Sequence, residues 1–461
     1  MSVYEPVSLG ALATLAAAIA ANCLYLALVV LTTRRALVSA SLYAYDTTGD
    51  YFASPLTPAV SVLVPVRDEE EHVVARVHGA LSLRYPDYEV IVIDRGSSDD
   101  TLSLLVEEYD LRPAARALRD GAPSHASPAT YLTPRHAGLV VLAANRCSDV
   151  EALDLAVRAA RNPYVLVVSA GVTLEQNALL AAARPVLDAP EAVCASLGSA
   201  RLARADGARS FRRQVPQRIA QALAEIEELR AELLVGEDRL RLVPLLRPTG
   251  LLFVSRGLVE TVCAENAGLR ATDLDLALCI ARSLRRRRSS AAISMLREPV
   301  CSRPAPAGLG QLLRRRAREQ QAAARTLGRS RRLPPDRLTS AMLARLLGPP
   351  LLLIGTAAVV AARVQGSLPW SSIAALALLA AVLSVAAVSA GAIRSAGSGR
   401  SILRPATMLL LLLSPVEGLV YRPLVAAVST LATLALCRRR PRGAPPSNDG
   451  SSSRLLPGSA D

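Results

Sequence analysis

The chain has 461 residues, 51% of them hydrophobic, with a mean hydropathy of +0.30 and a formal net charge of +14. The length predicts two or three domains, and the hydropathy excludes an ordinary soluble enzyme of this size. Aromatics are only 3% of the chain, which excludes a nucleic-acid reader built on base stacking. Seven scattered cysteines without metal-ligand spacing exclude a disulfide scaffold. All 53 basic residues are arginine, so no lysine chemistry is available.

Residues Pro6 to Thr33 carry no charge, and Leu9 to Leu31 is nearly continuous Ala, Leu, Val and Ile. A bilayer-spanning helix needs about 20 such residues. Arg34 and Arg35 follow at once, so the N-terminus is expected outside and the next domain in the cytosol. A cleaved signal peptide would carry its positive charge on the other side. The apolar signal returns at Leu346–Ala362, Leu368–Ile393 and Ile402–Leu436. Pro415, Glu417, Arg422 and Pro423 interrupt the last of these, and arginines flank it on both sides. An interfacial helix or a re-entrant hairpin is the favoured reading there. The chain thus divides into an anchor (1–35), a polar block (36–340), transmembrane or interfacial helices (341–440) and a Pro/Gly/Ser-rich tail (441–461).

Within the polar block, Val60–Pro65 reads as a strand, and Asp68, Glu69 and Glu70 open a helical stretch with the acidic residues that a helix start favours. Tyr88–Asp94 is a second buried strand, ending in the turn Gly96-Ser97-Ser98-Asp99, and Thr101–Tyr109 a helix. Leu139–Ala143 and Tyr164–Val168 are further strands, each followed by a helix, at 150–160 and 174–187. This alternation predicts an α/β, doubly wound, mostly parallel sheet. Ligands of such sheets bind at the carboxyl ends of the strands, which points to the loops at Asp94–Thr101 and Ser169–Thr173. The charged stretch Arg212–Glu237 reads as a solvated helix. The clusters Arg285–Arg288, Arg314–Arg318 and Arg329–Arg332 read as contacts to anionic lipid rather than to nucleic acid. The four histidines, His72, His78, His125 and His136, show no ligand spacing.

The segments VSVLVPVRDEE, YEVIVIDRGSSDDT, RNPYVLVVSAG, RPTGLLFVSRG and ATDLDLALCIAR follow one another in the order seen in family 2 glycosyltransferases. The chain resembles their membrane-bound branch, the relatives of cellulose, chitin and hyaluronan synthases, from about Pro58 to Arg332. The resemblance implies a GT-A-like fold in the cytosol, flanked by transmembrane helices, and transfer of a sugar from a nucleotide-sugar to a polysaccharide or lipid-linked acceptor. It implies that Pro65, Asp68, Glu69, Asp94, Arg95, Gly96 and Ser97 line the nucleotide-sugar site. Asp273 matches the catalytic base, and Gly250, Arg256 and Arg318 fall on the acceptor side. The bilayer and a membrane protein of polysaccharide synthesis are the implied partners.

Three departures stand out. Arg95 replaces a second Asp of the family pattern. Ser169, Ala170 and Gly171 stand where a D-x-D holds a divalent metal, so the ligands of the family's usual Mg or Mn are missing. Thr272 replaces the Glu before Asp273, and the family's Q-x-x-R-W lacks its Trp whether aligned on Arg315, Arg318 and Glu319 or on Gln311, Arg314 and Arg315. Asp273 reads equally as a helix cap. Two functions remain open: an inverting transferase with an arginine in place of the metal, or an inactive homologue acting as scaffold or regulator of an envelope-polysaccharide synthase.

Overall fold

The computed structural model describes residues 57–116, 118–119, 128–145, 147–202, 219–234, 249–265, 273–287, 289, 291–296, 300–329, 337–366, 369–396 and 405–438. The predicted N-terminal anchor and the tail lie outside the described residues.

Four β-branched runs form the parallel centre of the sheet: β1 (Val60–Val66), β2 (Tyr88–Asp94), β5 (Leu139–Ala143) and β6 (Tyr164–Val168). They are covered on both faces, as near-continuous apolar strands require. Side chains alternate along them. Val62, Val64, Val90 and Val92 pack with α1 (Val73–Leu81), α2 (Thr101–Tyr109) and α4 (Ala178–Asp188). Leu63, Ile91, Ile93, Val140 and Val167 pack with α3 (Asp149–Ala159), α6 (Arg256–Glu265) and α7 (Asp273–Arg286). The sheet is therefore doubly wound, as its sequence pattern predicts. It is mixed outside that centre: β9 (Thr249–Ser255) runs antiparallel to β6 and to β8 (Val193–Leu202). The far edge is β11 (Cys301–Arg303) and β7 (Thr173–Leu174), while β10 (Ala292–Met295) also pairs with β8. The near edge is β4 (Ala129–Leu132) and β3 (Arg112–Pro113).

The path β1, β2, β5 proceeds to one side of β1, and β6 returns on its other side. That reversal opens a crevice at the carboxyl ends of β1 and β6. One boundary differs from the sequence reading: Leu174 is taken up by β7, which pairs with Cys301 of β11, so helix α4 starts at Ala178. The first helix also starts late, at Val73, because Glu69–His72 form a turn before it.

The helices at the C-terminal side are α8 (Leu309–Arg329), α9 (Arg337–Val364), α10 (Trp370–Ala396), α11 (Pro405–Val416) and α12 (Arg422–Arg438). A π-turn, Glu417–Tyr421, joins α11 to α12, so no hairpin forms at Pro415 and the segment is one helical rod. Among the described residues three stretches are long and apolar enough to cross a membrane: Leu346–Val364, Trp370–Ala392 and Ala406–Leu436.

The charged helix α5 (Ile219–Leu234) is not a solvated one. Ala222, Ile226 and Leu229 pack with Val388, Ala392 and Leu410 of α10 and α11, and its charges pair with distant residues. Arg230 reaches Glu417 of the π-turn at 2.6 Å and donates to Ser384 Oγ at 2.8 Å. Arg303 donates to Glu228 at 2.7 Å, and Arg316 of α8 pairs with Glu227 and Glu319.

Candidate functional site

The loops after β1 and β2 are laced into one wall. Asp68 adopts φ +50, a conformation short polar residues tolerate. Its backbone N–H donates to Ser97 Oγ at 3.0 Å, and its carboxylate accepts from Ser98 N at 2.8 Å. The next two amides continue the lacing: Glu69 N donates to Thr101 Oγ1 at 2.8 Å and Glu70 N to Asp99 Oδ2 at 3.1 Å. Slight burial works against ionising Asp99, but hydrogen bonds from Thr101 and Glu70 outweigh it and hold the carboxyl below its usual range.

Asp94 closes β2 and is 3% exposed. Its Oδ1 accepts from Ser97 N at 3.1 Å and Ser97 Oγ at 2.5 Å, across a turn that needs φ +76 at Gly96. Arg95 follows. Its N–H donates to Val66 O at 3.1 Å, and its guanidinium pairs with Asp149 in the first turn of α3. Burial, and then the neighbouring Arg67, lower the Arg95 pKa from its ordinary value. Cys147 lies beside it, and burial pushes that thiol up.

The third wall is the loop after β6. Ser169 N donates to Gly250 O at 3.0 Å, and Gly171 takes φ +70. Beneath this loop lies Arg76 of α1, 2% exposed. Its Nε donates to Val172 O at 3.0 Å, Nη2 to Ser169 O at 3.2 Å and Nη1 to Pro65 O at 3.3 Å, and it pairs with Glu69. One buried guanidinium thus ties the loop after β1 to the loop after β6. Sequence reasoning missed it, although the signal was present. Val73, Arg76, Val77 and Ala80 form the buried stripe of α1, and an arginine on such a stripe must have partners inside.

The structure brings Pro65, Asp68, Glu69, Asp94, Arg95, Gly96 and Ser97 together at the strand ends, with Gly250 beside Ser169. At Gly250 an added Cβ would lie 2.9 Å from the Ala200 Cβ, so the glycine is required for close approach of β8 and β9. Arg256 donates to the carbonyls of Arg161 and Asn162 at 3.1 and 3.0 Å, before β6 begins. That is the amino end of the strand. Arg318 is exposed on α8, a helix packed against α12. Asp273 begins α7, on the face that covers Leu63 and Ile93. Its side chain lies outside the described residues.

A parallel α/β sheet with two strand-end loops laced around a buried Asp defines a class of ligand-binding crevice. Comparison with known proteins narrows it. Residues 61–122, which build β1, β2 and both of those loops, match the family described as "Glycosyl transferase family 2". A chondroitin synthase of Escherichia coli is 39% identical over 59 residues, 13% of this chain and 9% of that protein. A Pyrobaculum calidifontis mannosyltransferase, solved with GDP-Man and Mn2+, aligns at a TM-score of 0.48 and 18% identity, over 88% of this chain and 98% of that one. Glucosyl-3-phosphoglycerate synthase of Mycobacterium tuberculosis, solved with Mn2+, UDP and glucosyl-3-phosphoglycerate, aligns at 0.36 and 18%, over 63% and 86%. Over residues 61–122 the chain is family 2 glycosyltransferase-like.

The divalent metal usual in this family does not fit the residues present. Ser169, Ala170 and Gly171 supply no carboxylate for a hard cation. The carbonyls of Ser169 and Val172 accept from the Arg76 guanidinium instead. Among the described residues no three His, Cys, Asp or Glu side chains group to hold a metal ion.

Proposed function

We propose that this chain transfers a sugar from a nucleotide-sugar, held at the carboxyl ends of β1, β2 and β6, to a polysaccharide or lipid-linked acceptor. The observation that carries the reading is the laced wall around Asp94, built from the segment that matches the family and set at the sheet's switch point. Asp94 fixes the turn through Ser97 and keeps carboxylate capacity for a nucleobase N–H. Asp273 is the base: it takes the acceptor hydroxyl's proton as that oxygen forms a bond to the anomeric carbon. The bond from that carbon to the diphosphate oxygen breaks on the opposite side, with inversion, and the electron pair leaves with the nucleoside diphosphate. The second reading, an inactive homologue that scaffolds a membrane synthase, is favoured by the residues at 169–171 and by Thr272.

Titrating UDP and GDP into the detergent-purified full chain separates the two. The transferase reading predicts micromolar binding of one nucleotide and a loss of about tenfold or more in Asp94→Ala, the scale of a charge-assisted hydrogen bond. No binding at millimolar concentration to a folded chain would support the scaffold.

The transferase domain is proposed to face the cytosol, with the predicted Leu9–Leu31 span before it. Helices α9 and α10 then cross the bilayer as a hairpin, whose turn carries Trp370 against Arg363, an interfacial pair. The α11–α12 rod is proposed to lie in the interface. Its Thr407, Leu410, Ser414, Glu417 and Tyr421 are buried toward the protein. Met408, Leu412, Val416, Val420, Leu431 and Leu434 form an exposed apolar stripe. Reporter fusions at the C-terminus are expected to report the cytosolic side. A periplasmic or extracellular signal would make the rod a third C-terminal crossing.

A further inference from the structure

The diphosphate of a bound nucleotide needs its charge neutralised, and this inference rests on the transferase reading above. The loop after β6 offers no metal ligands. The positive charge lies elsewhere, at the ends of β1 and β2. The parallel ladder ends with Val66 opposite Asp94, and Arg95 N bonds Val66 O, so Arg67 and Arg95 stand in register one residue beyond it. Neighbouring strands are about 4.8 Å apart. By the alternation of side chains, both follow Leu63 and Ile93 onto the α3 side of the sheet.

Two guanidiniums this close repel each other unless anions lie between or beside them. Asp149 meets Arg95 from α3, with Glu69 and Asp94 also favouring its charge, and among the described residues Arg67 has an ion pair only with its neighbour Asp68, at 3.7 Å. The Arg95 Nε is buried without a hydrogen-bond partner among the described residues. The N-terminus of α3, capped by Ser148 and Glu151, faces the same place and adds partial positive charge.

We infer that Arg67 and Arg95 form a diphosphate clamp that holds the nucleotide without a divalent cation, with Asp149 occupying Arg95 until the phosphate displaces it. Guanidinium suits this task because its planar fork binds phosphate oxygens in pairs and stays charged. Asp149 is then a competitor of the ligand, which gives the clamp a signature that a structural ion pair lacks.

The test is calorimetric titration of UDP and of GDP into the detergent-purified full chain, in excess EDTA and again with Mn2+. The clamp predicts equal affinity in both buffers. Arg95→Gln and Arg67→Gln are each expected to weaken binding by about tenfold or more, the worth of a charge-assisted contact. Asp149→Asn is expected to tighten it several-fold, a gain that misfolding cannot produce. Binding that appears only with Mn2+ overturns the clamp and leaves the transferase reading standing. An Asp149→Asn chain that binds no tighter overturns the assignment of Arg95. Absence of binding in every buffer overturns the transferase reading, and the clamp with it.

Discussion

Arg230→Met is expected to detach α5 from the α11–α12 rod. Arg230 and Glu417 expose 8% and 2% of their side chains, and Ser384 and Arg422 are their remaining partners in this network, at 2.8 and 3.2 Å. Removing Arg230 leaves the buried Glu417 with Arg422 as its remaining cation, so the cost is expected near the lower end of the about 3–5 kcal/mol of a broken buried pair. Replacing both by apolar residues of similar volume is close to neutral, because the desolvation of both charges is recovered. The thermal midpoint in detergent should therefore fall steeply in Arg230→Met and recover most of that loss in Arg230→Met/Glu417→Leu. A double variant as unstable as the single one would mean that the pair is not what joins the two helices. The pair also sits on the π-turn, a distortion that costs regular helix hydrogen bonding and recurs at functional sites.

The second large effect is at Arg76. Arg76→Leu leaves Glu69 without its cation and frees three carbonyls, those of Pro65, Ser169 and Val172. Each neutral acceptor left unsatisfied in the interior costs about 1–3 kcal/mol. Some of these atoms will find water at the crevice, so the expected loss of stability is about 3–5 kcal/mol, as for a broken buried pair. Chemical denaturation of the purified chain measures it. Arg76→Lys is expected to rescue little, because one ammonium cannot reach carbonyls on two loops as a planar fork does. Because the Arg76 guanidinium holds the two loops at their set spacing, nucleotide affinity should fall in the same variants even below their unfolding temperature. Full affinity in Arg76→Leu would show that the guanidinium does not position the site.

The central strands were legible because their residues leave few alternatives. The β-branched run of β1 ends before Asp68, and that of β2 before Gly96, both of which take a positive φ that few other residues would accept. The site loops followed from the sheet, since strand ends collect ligands. What was misread depended on partners far away in the chain. The charges of α5 look solvated in composition, yet they pair with Arg303, Arg316 and Glu417, which lie 75, 89 and 187 residues away from their partners. Its apolar residues Ala222, Ile226 and Leu229 repeat at helical spacing, a stripe that the surrounding charges mask. Arg256 is read from motif order alone, and it follows a β9 that runs antiparallel to β6. Leu174 has the composition of a helix start but is captured by β11 through β7.

Occupation of the crevice at the ends of β1 and β2 by a nucleotide is tested directly by photolabelling, with azido-UDP or azido-GDP crosslinked to the full chain in detergent and the peptides mapped by mass spectrometry. Label is expected between Val60 and Arg76 or between Tyr88 and Thr101, competed away by the unlabelled nucleotide. Label confined to the C-terminal helices, or none that the unlabelled nucleotide displaces, would contradict it.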